Sequence, residues 1–485
     1  MTTATPAVSE HPLFIGGTWV PGARVADNIN PSDNGDVVGR YAQGDASHMA
    51  AAVAAAKGAA PVWGSSTPQQ RFDVLDFVGA EIIARKEELG TLLAREEGKT
   101  LPEAVGEVAR AGAIFKFFAG EALRTAGEHI PSVRPGIEID VIREPLGVVG
   151  LITPWNFPAA IPAWKTAPAL AFGNAVVLKP AELVPGSAWA LAEIIARSGL
   201  PPGAFNLVPG KGSEIGDALV TDPGVAGVSF TGSVEVGGSL AVKCALRLAR
   251  VQLEMGGKNP LVVLDDADVD VAVAAAVNGA FFSTGQRCTA SSRLVVTAGI
   301  HDRFVRALTD RLASLRVGDA LERGTDIGPV VDSSQLEKDL NAIALAKSEG
   351  GTLAFGGERL KRAREGFFLS PALFTETTNA MRLNTGEVFG PVAGVLRVRD
   401  YDEALAVAND TAFGLCAGIC TTSLKHASHF KRHAQAGMVM VNLPTAGVDY
   451  HVPFGGKKGS SYGTREQGRY AVEFYTTVKT CYTAP

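Results

Sequence analysis

Cys288 stands in a sequence setting that suits a reactive cysteine. It follows Gly285-Gln286-Arg287 and precedes Thr289, a glycine-containing polar stretch that is unlike the surroundings of most buried structural cysteines. Cysteine attacks a carbonyl carbon as the thiolate, and its ordinary pKa of about 8.5 means that a nearby base must assist. We therefore expect Cys288 to be a nucleophile. The remaining cysteines lack such a setting and are interpreted as structural: Cys244, Cys416, Cys420 and Cys481.

Two further segments carry side chains that complement a nucleophile. Glu254 ends an apolar run and precedes Gly256 and Gly257, whose freedom lets the backbone turn and approach other groups closely. Its carboxylate could serve as a general base, although a surface glutamate at a strand end is the structural alternative. Asn156, between two prolines, offers a neutral amide donor for an oxygen that gains negative charge. Its structural alternative is a helix cap.

A nucleotide site is predicted without the usual glycine fingerprint, because no Gly-x-Gly-x-x-Gly motif opens a helix after the first strand. Lys179 ends the second predicted strand, and Glu182 follows it. The carboxylate could accept ribose hydroxyls, and the lysine could reach hydroxyls or a phosphate. Residues 230–233 open a helix whose amino end favours phosphate, and Gly212 and Gly216 could admit an adenine.

A parallel sheet must position these residues. Short apolar runs alternate with helical stretches between residues 145 and 254, which predicts a doubly wound sheet that binds ligands at the carboxyl ends of its strands. A second α/β rhythm spans 260–442, and the segment 46–125 reads as mainly helical. The predicted strands are 146–153, 175–179, 205–208, 225–230, 250–254, 261–264, 293–297, 392–398 and 438–442, and the helices of the first sheet lie near 160–172, 186–198, 213–220 and 234–248.

Two segments fit neither sheet. Residues 137–143 and 474–480 alternate apolar and polar side chains, which predicts strands outside the main sheets. Exposed strand edges need covering, and a second subunit can cover them, so we expect a homo-oligomer. The predicted division is a cofactor domain at 1–127 and 146–255, a catalytic domain at 256–450, and bridging or oligomerisation strands at 128–145 and 470–485.

Composition excludes several classes of function. The 485 residues are 46% hydrophobic and 20% charged with a net charge of −5, which is ordinary globular composition and argues against nucleic acid as a partner. Neither a targeting segment nor an apolar run of the ~18 residues that span a bilayer is evident, so a cytoplasmic protein without a membrane partner is expected. His426, His429 and His433 read as a solvated helix face, and no metal is expected.

Seven motifs together resemble the aldehyde dehydrogenase superfamily, in the order seen there, and the match runs from about Phe14 to Thr480. They are TPWNFP at 153–158, KPAE at 179–182, FTGS at 230–233, LEMGGK at 253–258, GQRC at 285–288, EVFGP at 387–391 and PFGG at 453–456. The resemblance implies a Rossmann-like α/β cofactor domain, a second α/β catalytic domain and a small β oligomerisation element. It also implies oxidation of an aldehyde with NAD or NADP through a thiohemiacetal and a thioester.

The resemblance assigns roles to individual residues. Cys288 is the nucleophile, and Asn156 with the Cys288 backbone amide forms the oxyanion hole. Glu254 is the base for thioester hydrolysis, which favours water over coenzyme A as acceptor, and Lys165 and Glu466 match a proton relay. The residues assigned to the cofactor are Ile152, Thr153, Pro154, Trp155, Lys179, Ala181, Glu182, Gly212, Gly216, Phe230, Thr231, Gly232, Ser233, Val236, Gly237, Glu387 and Phe389.

The substrate is expected to be 2,5-dioxopentanoate, because residues 161–165, 444–451 and 456–470 look most like that branch of the superfamily. Succinate semialdehyde and simple aliphatic or aromatic aldehydes are the alternatives; the succinate semialdehyde branch usually has an arginine where this chain has Trp164. Glu182 favours NAD, whereas Lys179 leaves NADP open. The expected assembly is a homodimer or a homotetramer. The residues expected at the substrate are Phe157, Ile161, Trp164, Phe282, Arg287, Thr289, Val448 and Phe454.

Two other classes of protein stay open on the residues alone. A non-catalytic structural homologue would be expected to lose Cys288, Glu254 or Asn156, and all three are present. A cysteine hydrolase that ignores nicotinamide would have no use for Lys179 and Glu182.

Overall fold

The structure, a computed structural model, describes residues 9–484; the outermost residues of the predicted cofactor domain (1–8) and of the bridging segment (485) lie outside that range. The strands are β1 (Glu10–His11), β2 (Leu13–Ile15), β3 (Thr18–Val20), β4 (Arg24–Asn30), β5 (Asp33–Gln43), β6 (Glu128–Pro131), β7 (Glu138–Pro145), β8 (Val148–Ile152), β9 (Ala175–Lys179), β10 (Phe205–Leu207), β11 (Gly227–Gly232), β12 (Arg250–Met255), β13 (Pro260–Val263), β14 (Arg293–Thr297), β15 (Thr352–Phe355), β16 (Ala372–Thr375), β17 (Val392–Val398), β18 (Cys416–Cys420), β19 (Met438–Val441), β20 (Ser461–Tyr462) and β21 (Thr476–Thr483). The α-helices are α1 (Ala46–Gly64), α2 (Pro68–Ala84), α3 (Lys86–Glu97), α4 (Leu101–Ala122), α5 (Ala160–Ala171), α6 (Pro185–Ala196), α7 (Asp217–Thr221), α8 (Val234–Leu246), α9 (Val269–Ala280), α10 (Ala298–Ala313), α11 (Ser333–Ser348), α12 (Arg382–Thr385), α13 (Tyr401–Asn409), α14 (Leu424–His433) and α15 (Val472–Tyr475).

An eight-stranded sheet carries the predicted nucleotide site. Its strand order is β20-β12-β11-β8-β9-β10-β2-β3, and the five strands from β12 to β10 are parallel. The chain runs outward from β8 in both directions, so β8 and β11 flank the switch point at which such sheets bind ligands. The predicted doubly wound sheet is confirmed. All five predicted strands are present, with ends shifted by one or two residues.

The central strands are buried because helices cover both faces of this sheet. In β8, Val149 and Leu151 pack on one side with residues of α2, α4 and α5. Val148 and Ile152 pack on the other side with residues of α1, α7 and α8. A strand that is buried on both faces needs apolar residues at successive positions, which explains the unbroken VVGLI of β8.

A seven-stranded sheet carries the segment around Cys288. Its order is β15-β16-β17-β14-β13-β18-β19, with β15 antiparallel and the others parallel. The four predicted strands of this region are present, and Cys416 and Cys420 lie buried on β18, as expected of core residues. Cys288 itself lies in the loop between α9 and β14.

The two segments outside the main sheets pair with each other. In a three-stranded antiparallel sheet of order β21-β7-β6, Val478 lies opposite Arg143 and Tyr482 lies opposite Ile139. Because Ile130 of β6 also lies opposite Ile139, one face of this sheet carries a row of apolar side chains, together with the charged side chains of Arg143 and Glu128. Ile130, Val478 and Tyr482 on that face are 40%, 55% and 61% exposed.

The structure also differs from the expectations. The segment before α1 contains five strands that no pattern predicted, and two of them, β2 and β3, extend the first sheet. Residues 461–462, outside the range assigned to the cofactor domain, form its opposite edge. The predicted helix at 213–220 is a π-helical turn, Gly212–Gly216, followed by α7. Among residues 9–484, no helix is both long enough and apolar enough to cross a membrane.

Candidate active site

The loop that carries Cys288 is held against the end of β12. The Cys288 carbonyl oxygen accepts a hydrogen bond from Asn259 Nδ2 at 2.8 Å. A Cβ atom at Gly257 would lie 2.8 Å from the same oxygen, so only glycine permits this approach. Burial, together with the nearby carboxylates of Glu387 and Glu254, raises the pKa of Cys288 to about 12. The nucleophile is therefore held as a neutral thiol until a base or a change of charge acts on it.

Glu254 is buried at the carboxyl end of β12. Its Oε2 atom accepts a hydrogen bond from the Ser461 hydroxyl at 2.5 Å, and among the described residues its Oε1 atom has no partner. Burial and the neighbouring Glu466 raise the pKa of Glu254 well above the ordinary range for a carboxyl group. A carboxylate with a raised pKa is a stronger base once it is ionised, which suits proton abstraction from water.

Asn156 connects the first sheet to the cysteine loop. Its Nδ2 atom donates to the carbonyl oxygen of Gln286, two residues before Cys288, at 2.9 Å. The segment that holds it follows β8 directly, so the sheet fixes where the amide lies. The Asn156 amide is thus held against the loop that carries Cys288, and both side chains line the same cavity.

A buried ion pair fixes the backbone around Asn156. Lys99 Nζ donates to the Asn156 carbonyl oxygen at 2.8 Å and to Glu107 at 2.6 Å. Glu107 Oε1 accepts from the backbone N–H groups of Ala159 and Ala160, at 2.9 and 3.0 Å, where α5 begins. The side chains of Lys99 and Glu107, 1% and 2% exposed, thus hold the segment both at Asn156 and at the start of α5.

Lys165 and Glu466 form a buried ion pair beside Glu254. Lys165 Nζ also donates to the Ser229 hydroxyl at 2.7 Å, which in turn donates to Gln252 Oε1 at 2.9 Å. Since Glu466 raises the pKa of Glu254, the two carboxyl groups are close enough to interact electrostatically.

One cavity of about 180 Å³ brings Cys288, Glu254 and Asn156 together. Its apolar wall includes Ile161, Trp164 and Phe454. It adjoins a larger cleft of about 640 Å³ at the carboxyl ends of β8, β9 and β11. The residues that line both spaces are Pro154, Trp155, Thr231 and Gly232.

The larger cleft has the groups that a dinucleotide needs. The hydroxyls of Thr153 and Thr231 are buried and have no hydrogen-bond partner among residues 9–484. Lys179 is 6% exposed, and burial lowers the pKa of its ammonium group, an effect that Glu182 opposes. A Cβ atom at Gly232 would lie 2.4 Å from the Phe230 ring, so glycine leaves this edge of the cleft open. Polar groups without partners, next to the amino end of α8, fit a pyrophosphate and a ribose.

Comparison with known proteins agrees with this geometry. The model of the Aldehyde dehydrogenase family matches residues 19–481. The chain belongs to the aldehyde dehydrogenase family. It is 43% identical to an alpha-ketoglutaric semialdehyde dehydrogenase of Bacillus subtilis, over 97% of this chain and 98% of that protein. It is 41% identical to a 2,5-dioxopentanoate dehydrogenase of Saccharolobus solfataricus, over 94% and 95%. Among solved structures, betaine aldehyde dehydrogenase of Staphylococcus aureus in complex with NAD+ superposes with a TM-score of 0.95 at 34% identity, over 98% of this chain and 95% of that one.

Most residues expected at the cofactor of this family member lie around the cleft or the cavity. Gly237 is an exception, because a Cβ atom there would lie 2.5 Å from Met255 Sδ; its place in α8 serves packing against β12. Ser233 lines the cavity and caps α8 by accepting from the Val236 N–H at 3.3 Å. Glu387 and Phe389 also line the cavity. Of the residues expected at the cofactor, those that line the cleft are Ile152, Thr153, Pro154, Trp155, Lys179, Ala181, Glu182, Gly212, Gly216, Phe230, Thr231, Gly232 and Val236.

The residues expected at the aldehyde divide into two groups. Ile161, Trp164 and Phe454 line the cavity, and Val448 packs in an apolar cluster with Phe454 and Cys288. Phe157 lies under Lys99 Nζ, 3.9 Å from the ring centroid.

Three other expected substrate residues have structural partners instead. Arg287 donates to Glu103 at 3.1 Å and to the Ser283 hydroxyl at 2.8 Å, so its guanidinium is directed away from the cavity. The Thr289 carbonyl oxygen accepts from the Thr445 hydroxyl at 2.6 Å, and Phe282 packs on the core of the second sheet. For these residues, nearness to Cys288 in sequence was a poor guide to the direction of the side chain.

Sequence reasoning missed several residues of the site. Lys99 and Glu107 carried no signal, because a Lys–Glu pair eight residues apart across a helix start is usually exposed. Ser461 lies more than two hundred residues from Glu254, and although it falls within 456–470, a stretch that carries the resemblance, it was not assigned a role there. Gln335, Lys338 and Met255 also line the cavity. Of these three residues, only Met255 could have been predicted from the sequence, because it directly follows Glu254 at the end of a strand.

Proposed function

We propose that this chain oxidises 2,5-dioxopentanoate to 2-oxoglutarate with NAD or NADP. The observation that carries the proposal is the single cavity that joins Cys288, Glu254 and Asn156 and opens toward the cleft at the switch point of the first sheet. The substrate is suggested by similarity to an alpha-ketoglutaric semialdehyde dehydrogenase and a 2,5-dioxopentanoate dehydrogenase, at 43% and 41% identity.

The chain's own groups account for two chemical stages. In the first, Cys288 Sγ gives its proton to a base, for which the carboxylate of Glu254 lies in the same cavity, and bonds to the aldehyde carbon, and the oxygen that becomes negative is stabilised by the Asn156 amide and the Cys288 N–H. Bound NAD or NADP supplies the acceptor for the hydride that leaves this carbon, which becomes a thioester. In the second stage Glu254 removes a proton from water, the oxygen attacks the thioester, and the Sγ–carbon bond breaks to release the acid. Glu466 and Lys165 provide the path by which Glu254 loses that proton.

We further propose NAD as the preferred cofactor. Glu182 lies in the cleft that follows β9, where a ribose is expected, and its negative charge would repel the additional phosphate of NADP. Lys179 lies in the same cleft and would attract that phosphate, which supports use of NADP as a second cofactor.

The assembly is proposed to be a homodimer or a homotetramer. The apolar face of the three-stranded sheet, with Ile130, Val478 and Tyr482 exposed, is a surface that a second copy would cover. Its outer strands, β6 and β21, also leave backbone groups free for pairing.

The proposal is tested by following NADH or NADPH absorbance with 2,5-dioxopentanoate, succinate semialdehyde, betaine aldehyde and pentanal, each with NAD and NADP in excess. The highest kcat/KM is expected for 2,5-dioxopentanoate, and Cys288→Ala should abolish turnover while cofactor binding persists. A preference for another aldehyde would reject the proposed substrate, and turnover by Cys288→Ala would reject the nucleophile.

A further inference from the structure

A cation that forms no ion pair among residues 9–484 contacts Val448, which packs with Phe454 and Cys288. Arg110, on α4, donates to the Val448 carbonyl oxygen and, at 3.1 Å, to Gln467 Oε1. Asp449 and Glu107 act on it only through their charge, and in the described part of the chain neither forms an ion pair with it. Burial lowers the pKa of the Arg110 guanidinium, because a buried charge is poorly solvated. A guanidinium has five N–H donors, so several are left for an anion.

Gln467 adds a second free donor at the same place. Arginine can only donate, so the atom of Gln467 that faces it must be the amide oxygen, which leaves Nε2 with its hydrogens. Gln467 is fully buried, and in the part of the chain the structure describes its Nε2 atom has no partner. Its φ of 58° is costly for a residue other than glycine, and strain of this kind is found mostly at functional sites.

Trp164 supplies a third free donor, on the wall of the cavity itself. The indole N–H can donate but not accept, and a buried indole usually has a partner. Trp164 is 6% exposed, and within residues 9–484 its Nε1 atom has none. Its ring lies 5.4 Å from that of Phe454, whose backbone pairs with Glu466, the neighbour of Gln467. Trp164 thus contacts Phe454, and Arg110 contacts Val448 and Gln467, so all three donors lie on or against residues 448–467, the segment that contributes Phe454 to the cavity wall.

We propose that Arg110, Gln467 Nε2 and Trp164 Nε1 form the subsite that recognises the carboxylate and the 2-oxo oxygen of the substrate. The subsite has donors and one positive charge but lacks a free acceptor on these three groups, which matches an anionic tail rich in oxygen and opposes a cationic one. The subsite would also account for recognition of an acid by this chain, which has Trp164 at the position where the succinate semialdehyde branch usually has an arginine to bind the carboxylate. The inference rests on the proposed function, since it assumes that the aldehyde carbon reaches Cys288.

The experiment compares kcat/KM for 2,5-dioxopentanoate and for pentanal, which lacks the 2-oxo acid. In Arg110→Met the ratio of the two values is expected to fall about 10- to 100-fold, as for loss of a charge-assisted hydrogen bond. Arg110→Lys should restore part of the ratio, because the charge remains but the planar fork is lost. Arg124→Met, just beyond the same helix and paired only with Glu121, is the matched control and should leave the ratio unchanged.

Trp164→Phe provides an independent test if Arg110→Met does not fold. It removes the N–H group and keeps an aromatic ring, and the ratio should fall about 3- to 10-fold, as for a neutral hydrogen bond. An unchanged ratio in both Arg110→Met and Trp164→Phe, or equal losses for both aldehydes, would overturn the subsite.

The subsite and the proposed substrate can fail separately. If the wild type prefers succinate semialdehyde and Arg110→Met selectively loses that activity relative to pentanal, the subsite stands and 2,5-dioxopentanoate is rejected. If the wild type prefers pentanal or the cationic betaine aldehyde over both anionic aldehydes, the subsite is rejected as well.

Discussion

The ammonium group of Lys99 lies 2.8 Å from the carbonyl oxygen of Asn156, and both residues are buried. Lys99 thereby holds the backbone of the residue whose side-chain amide reaches the cysteine loop. Oxyanion donors are effective because they are already in place when charge develops, so a residue that fixes the backbone contributes to the rate without touching the substrate. We interpret Lys99 as a positioning residue.

Replacing Lys99 with methionine should lower kcat about 10-fold and change KM little, since the oxyanion donor would remain but would be less well placed. Steady-state kinetics with the preferred aldehyde measure both constants. The variant leaves Glu107 without its cation, at a cost of about 3–5 kcal/mol in unfolding free energy. The double variant Lys99→Met/Glu107→Gln should regain stability but not kcat, whereas recovery of both would mean that Lys99 is only structural. Lys116→Met, on the surface of α4, is the control.

The rate of thioester hydrolysis should rise with pH through a pKa above the ordinary carboxyl range. Burial and Glu466 raise the pKa of Glu254, and only the ionised form accepts a proton from water. Lowering the pH therefore protonates Glu254 and slows hydrolysis, and raising it has the opposite effect. Rapid-quench measurement of acyl-enzyme decay at a series of pH values gives the profile. Glu254→Gln should slow decay about 100-fold or more and flatten this limb; an unchanged profile would exclude Glu254 as the base.

Glu387→Gln should make Cys288 more reactive in the cofactor-free enzyme. Burial and the charges of Glu387 and Glu254 raise the pKa of Cys288 to about 12, so removing one negative charge lowers the pKa and increases the thiolate fraction at a given pH. Alkylation by iodoacetamide at pH 8, measured by mass spectrometry of the Cys288 peptide, should accelerate several-fold. The peptide of Cys481 is the internal control, and equal rates in both proteins would contradict the assigned cause.

Glu182→Ala should shift cofactor use toward NADP. The variant removes the carboxylate that repels the additional phosphate and keeps Lys179, so the ratio of kcat/KM for NADP over NAD is expected to rise about 3- to 10-fold, a modest change because Glu182 is exposed to solvent. Steady-state kinetics with each cofactor measure the ratio. A ratio that does not move would place the phosphate away from this residue.

Val478→Lys should reduce the size of the assembly. The new charge would lie in the apolar face that Val478 shares with Tyr482 and Ile130, where burial against a second copy would be costly. Sedimentation velocity measures the change in mass. Lys479→Ala, on the opposite face of the same strand, should keep the wild-type mass, and a wild-type mass for Val478→Lys would reject this face as the interface.

The sequence predicts the sheets well because their strands are short and mostly apolar. Two of the three catalytic candidates lie near the end of such a run, since Glu254 is the penultimate residue of β12 and Asn156 follows β8, whereas Cys288 was singled out by its polar, glycine-containing neighbours in a loop. Of the N-terminal strands, β1 to β3 escaped because strands of two or three residues are too short for periodicity to identify, and the longer β4 and β5 escaped because they contain Asp and Asn, and in β5 also Gly, which are depleted in strands. Residues 461–462 escaped for the same reason as β1 to β3.

The direction in which each side chain points could not be predicted from the sequence. Arg287 is next to Cys288 in the chain, yet its guanidinium binds Glu103 and the Ser283 hydroxyl rather than lining the cavity. Lys99 and Arg110 lie far from Cys288 in sequence, yet α4 packs against α5, so Lys99, just before α4, reaches the Asn156 carbonyl oxygen and Arg110, on α4, reaches the Val448 carbonyl oxygen. Such contacts depend on tertiary packing, which a local pattern does not encode.

The position of β20 and its neighbouring residues in the chain affects when the site can be completed during synthesis. Ser461 and Glu466, which bind or tune Glu254, and Phe454, which lines the cavity, all follow Cys288 by more than 160 residues in the chain. The ribosome must therefore synthesise the chain well beyond Cys288 before the thiol meets a complete set of neighbours. A nascent chain that ends before these residues would contain the Cys288 thiol without the groups that bind and tune Glu254.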